Sequence, residues 1–118
     1  MTPPRLESHH FPYLPIRLHV RQRTVELEAL LDTGFDGHLV VPPSVVANGQ
    51  APDGHASWTL ADGSSVLAPY YLGTVEVGTL ATFPVMVTAL GDEPLVGCEF
   101  AQHFTITLDH GVRLIVEP

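Results

Sequence analysis

One cysteine, Cys98, is all the sequence holds, so no disulfide can close within a chain, and a reducing, cytoplasmic setting is expected. Positive charge is scarce too: five Lys and Arg stand against thirteen Asp and Glu, a formal charge of -8 with His neutral. That excludes the clustered cations on which a nucleic-acid surface depends. No apolar run has the length of a membrane-spanning helix. The N-terminus, MTPPRLESHHFPYLP, lacks the apolar segment of a signal peptide, so no membrane partner is expected. The seven histidines show no H-x-x-x-H spacing and have no cysteine pair beside them, which leaves neither a metal site nor a cofactor to expect.

What is present is a chain of 118 residues, 45% hydrophobic, enough for one domain around one modest core. Residues 1–15 carry four prolines and read as an extended Pro-rich arm, with a single domain over 16–118 and ordered structure from about Ile16. IRLHV and TVELEALL alternate apolar with polar residues around the polar turn RQR, the pattern of a hairpin. Pro42-Pro43 followed by SVVANG gives one helical turn closed at Asn48-Gly49. HASWTL and SVLAPYYL make a second hairpin with a two-residue Asp62-Gly63 tip. TVEV and TFPVMVTAL make a third, and TITL with VRLIVE a last one across Asp109-His110-Gly111. One short helix is expected over CEFAQHF, in the C-terminal half. About eight strands with almost no helix-period pattern predict a mostly β fold, a small closed or semi-closed barrel that hides its edges.

Chemistry concentrates in ALLDTGFDGHLVVP, residues 29–42. Apolar runs on both sides of Asp32-Thr33-Gly34 place a carboxylate at the end of a buried strand. Gly34 leaves room for backbone to approach that carboxylate, and Thr33 supplies a hydroxyl in a confined space. Asp before Gly is also common in ordinary turns; the flanking apolar runs distinguish this one. Far along the chain, Leu95-Val96-Gly97 follows the GDEP turn and precedes the expected helix.

ALLDTG near the first third, together with an apolar-apolar-Gly segment before a late helix, resembles the retroviral-type (retropepsin-like) aspartic proteases, including their bacterial single-domain relatives. The resemblance runs over roughly residues 16 to 109 and includes the order of the pieces: a hairpin into Asp-Thr-Gly, a flap hairpin, further strands, the apolar-apolar-Gly segment and a helix. It implies an acid-protease barrel and hydrolysis of peptide or protein substrates. Two adjacent carboxylates would share one proton, one activating water and the other protonating the scissile carbonyl.

The chain has a single Asp-Thr-Gly. Asp36 is too near in sequence to face Asp32 symmetrically, and Asp53, Asp62 and Asp109 sit in turn-like polar contexts. The resemblance therefore implies a homodimer in which Asp32 meets its twofold mate. Thr33 would hold the two loops together, Gly34 would present backbone to the carboxylate, and Leu95, Val96 and Gly97 would pack beneath the loop. Trp58, Leu60, Asp62 and Gly63 would belong to the flap. A charged tip would disfavour acidic substrates relative to apolar or basic ones. Phe35 departs from the small residue of many relatives, and together with the charged flap tip at Asp62 it sustains the alternative of an inactive peptide-binding or dimerisation module with the same fold. Of the remaining polar groups, His38 is expected at a solvated strand position and Cys98 as a small buried residue.

Overall fold

The computed structural model describes residues 4–46 and 49–118. In chain order the elements are β1 (Leu6–Ser8), β2 (Tyr13–Val20), β3 (Arg23–Leu31), β4 (Leu39–Val41), α1 (Pro43–Val46), β5 (Gly54–Thr59), β6 (Ser65–Val77), β7 (Ala81–Ala89), β8 (Leu95–Val96), α2 (Cys98–Ala101), β9 (Thr105–Asp109) and β10 (Arg113–Glu117). Among the described residues the fold is mostly β, with two one-turn helices.

Six strands close on themselves. The order β2-β3-β8-β4-β7-β6 returns from β6 to β2 through the pairs Arg17↔Glu76, Leu18↔Val75 and His19↔Thr74. Closure leaves the inward positions of each strand in one core, where Leu14, Leu18, Leu39, Val75, Val77 and Val87 are all 0% exposed. Each such side chain contributes about 1.5–3 kcal/mol by leaving water. β5 lies outside this ring, paired only with the first half of β6, so the β5–β6 hairpin projects beyond the barrel.

The start of the chain corrects an expectation. The anticipated extended arm over 1–15 is in large part built into the structure, since β1 pairs with β10 (Leu6↔Val116 to Ser8↔Leu114) and β2 begins at Tyr13. The physical reason is pairing at long range. The β9–β10 hairpin offers a free edge, and Arg113 joins Glu7 of β1 to Asp109 of β9 through its guanidinium.

A second difference is that SVLAPYYL and TVEV form one continuous strand, β6, running through Gly73. A Cβ at Gly73 would stand 2.7 Å from the His19 carbonyl oxygen, so this glycine admits the close passage of β2 and does not break the strand. The expected helical turn after Pro42 is α1; its closure at Asn48 falls outside the described residues. The helix over CEFAQHF is regular only through Ala101, followed by the turn bonds His103 N–H to Phe100 O and Phe104 N–H to Ala101 O. Phe83 of β7 packs on Phe100, Phe104 and the His103 ring, which anchors α2 against the barrel. Among the described residues no helix is long and apolar enough to cross a membrane.

Candidate active site

β3 delivers Asp32, and β8 fixes where it stops. Leu30 and Leu31 pair in parallel with Leu95 and Val96, and the Asp32 amide donates to the Val96 carbonyl at 2.9 Å. β4 pairs with the other edge of β8 (Leu39↔Val96), so both ends of the 32–38 loop are tied to the same two-residue strand. The first turn of α2 completes the clamp. Gly97 N–H donates to His38 O at 3.1 Å and Cys98 N–H to Phe35 O at 2.8 Å.

Within this frame the Asp32 carboxylate accepts the Gly34 N–H at 3.0 Å on Oδ1. A Cβ on Gly34 would approach that oxygen to 3.3 Å, a crowded contact. Asp32 is half-buried, while Thr33 and Gly34 are exposed on the outer side of the loop.

Phe35 is accommodated by missing side chains. Its ring lies 5.0 Å from that of Trp58, centroid to centroid. A Cβ on Gly37 would reach its Cζ at 2.6 Å, and one on Gly97 would reach its Cδ2 at 2.6 Å. The two glycines leave the space that the phenyl ring occupies.

Asp32, Gly34 and Phe35 open onto a cleft of about 600 Å³ that also receives Trp58, Leu60 and Leu95. Six of the residues singled out from the sequence thus share one cavity. Asp62, Gly63, Thr33, Val96 and Gly97 do not line it. Val96 and Gly97 are buried behind the loop. The hairpin tip is a three-residue loop and not the anticipated two-residue one: Leu60 N–H bonds Ser64 O, Gly63 N–H bonds Leu60 O, and Gly63 takes a φ of 87° that suits glycine. Ser64, through its hydroxyl and its N–H, holds the Asp62 carboxylate below its ordinary pKa. This ties the charge into the turn.

Asp92 and Glu93 of the GDEP turn line the cleft as well, together with Val40, Thr59, Ala61, Leu90 and Gly91. Sequence reasoning passed over them because Gly-Asp-Glu-Pro reads as a generic turn. The signal was its position, between a barrel strand and the apolar-apolar-Gly segment. Glu93 accepts the Tyr13 hydroxyl, a bond that raises the Tyr13 pKa.

Two expectations on neighbouring residues change. His38 is not merely solvated: Nδ1 accepts the Met86 N–H at 2.8 Å, and Nε2 lies 3.0 Å from Glu99 Oε2. That pattern corresponds to the tautomer with its proton on Nε2. Cys98 is exposed and not buried, its thiol donating to the Thr33 carbonyl at 3.2 Å. Among the described residues no group of three or more His, Cys, Asp or Glu side chains could hold a metal ion.

No family model matches the sequence, and no curated protein matches it. Solved structures do. A retropepsin-like aspartic protease from Rickettsia conorii superposes with a TM-score of 0.65 at 17% identity, over 96% of this chain and 89% of that one. The Simian Foamy Virus (mac) protease, solved in solution, superposes with a TM-score of 0.52 at 18% identity, over 75% of this chain and 91% of that one. The six-strand barrel, the strand-end aspartate clamped by a two-residue strand and the hairpin over the cleft accordingly make up a retropepsin-like fold.

Proposed function

We propose that this chain is an aspartic endopeptidase that hydrolyses peptide bonds as a homodimer, Asp32 of each copy forming half of the catalytic pair. The observation that carries the reading is the Asp32 carboxylate, oriented by the Gly34 N–H at the wall of a peptide-sized cleft in a retropepsin-like fold. Three of the other acids considered from the sequence have different employment. Asp53 bonds Leu72 N–H and Arg21, Asp109 bonds Arg113, and Asp62 is held by Ser64. A second copy supplies the missing carboxylate if the exposed faces of Thr33 and Gly34 meet their own mates across a twofold axis.

In that assembly the two carboxyl groups share a proton because both cannot ionise cheaply at close range. The ionised one takes a proton from water, and the protonated one gives its proton to the scissile carbonyl oxygen. Thr33 bridges the loops, the β5–β6 hairpin acts as the flap, and Leu95, Val96 and Gly97 support the loop from behind. The room made for Phe35 by Gly37 and Gly97 supports an active site, since the ring fits the cleft wall without displacing Asp32. The free cysteine accords with a reducing, cytoplasmic setting.

The test is proteolysis of an unfolded protein substrate across pH 3 to 7, with pepstatin-type inhibition as a control. Asp32→Asn is expected to lower the rate at least about a hundredfold. Activity that survives this substitution rejects the mechanism.

A further inference from the structure

The cleft combines apolar walls with one sign of charge. Leu60, Leu90 and Leu95, with the Phe35 and Trp58 rings, line it, and among the described residues the only ionisable side chains besides Asp32 are Asp92 and Glu93. No Arg enters it. Glu93 is held by the Tyr13 hydroxyl, while Asp92 makes no hydrogen bond or ion pair among the described residues.

We propose that this site selects peptides with a Lys or Arg side chain beside the scissile bond, Asp92 receiving the cation and Glu93 standing as a second, pre-oriented acceptor. The inference rests on the hydrolytic reading above and names its substrate class. A basic side chain suits both kinds of lining, because its methylene stem fits apolar walls while its head needs an anion. Phe35 and Trp58, in the same lining, are residues of the type that attracts a cation. A purely apolar side chain would crowd Asp92 without supplying a partner, and an acidic one would meet three carboxylates.

The experiment uses one peptide series, identical except for Lys, Arg, norleucine, Gln or Glu at each position flanking a single cleavable bond. Cleavage is read as kcat/KM with the wild-type chain, and binding as Kd with the Asp32→Asn variant, which leaves the peptide intact. Lys and Arg are expected to exceed norleucine about tenfold in both readouts at low salt. Asp92→Asn, made in both backgrounds, should lower the Lys-to-norleucine ratio about tenfold, and Asp92→Glu should restore it. Because the readout is a ratio, general damage to the protein does not mimic the effect.

A ratio near one, or one indifferent to Asp92→Asn, overturns the proposal; if Asp32-dependent cleavage persists, the protease reading stands without it. Asp92-dependent binding of Lys peptides with no cleavage at any pH has the opposite meaning: the basic preference stands and the hydrolytic reading fails. Neither binding nor cleavage of any peptide overturns both.

Discussion

A Cβ on Gly97 would lie 2.5 Å from the carbonyl oxygens of both Phe35 and Gly37. Those contacts are backbone, so no side chain can swing aside to relieve them. The glycine's own φ of -106° is open to any residue, so space and not conformation makes glycine necessary here. Gly97→Ala is therefore expected to cost about 1–3 kcal/mol, the range of overpacking in a closed site. The check is the urea midpoint, with activity falling more than stability because the displaced atoms belong to the Asp32 loop. A change of less than a few tenths of a kcal/mol would show that the loop is not clamped as described. Phe35 follows the same logic in reverse: an apparently oversized residue is balanced by two absent side chains, one two residues on and one far along the chain. The first could have been suspected from the sequence, but the second became visible only once α2 was docked against the loop.

At the scale of elements, α2 has only four residues, Cys98–Ala101, too few to be stable by its own hydrogen bonds. Packing holds it, through Phe100 at 0% exposure against Phe83 and Phe104. Phe100→Ala is expected to cost about 3–5 kcal/mol, and hydrogen exchange of the Gly97 and Cys98 amides should accelerate with it, because those amides bond the 32–38 loop. The strand run into Asp32 was legible in the sequence because its signal is local, alternation followed by unbroken apolar residues. The closed barrel was legible for the related reason that many short strands must hide their edges. β1 was not, since its partner lies more than a hundred residues away and prolines flank it. β6 was misread as two strands because Gly73 looks like a break until the β2 backbone is seen crossing it. The acidic turn at the cleft was invisible for a different reason: nothing in Gly-Asp-Glu-Pro shows which way its side chains face.

The molecule as a whole carries several carboxylates with lowered pKa values. Glu76 is lowered first by its hydrogen bond to His19, Asp109 by its hydrogen bond to Arg113, and Asp62 by Ser64. A carboxylate more acidic in the folded than in the unfolded state adds stability that is full above its ordinary pKa of about 4. That stability is lost as pH falls through the lowered value. The urea midpoint is therefore expected to hold between pH 7 and pH 5 and to decline below about pH 4. Arg113→Gln, which removes the partner of Asp109, should make the decline shallower and loosen the β1-β10-β9 sheet. A stability that rises on acidification would contradict this assignment.

The same whole-molecule scale holds the central claim, that one chain contains half of a catalytic pair. It is tested most directly by mixing wild-type chain with the Asp32→Asn variant at equal concentration, allowing subunits to exchange, and measuring proteolysis. If each working site needs Asp32 from both copies, only wild-type pairs are active, and the mixture keeps about one quarter of the activity shown by the same total concentration of wild-type chain. About one half would mean that each chain works alone, and would contradict the account.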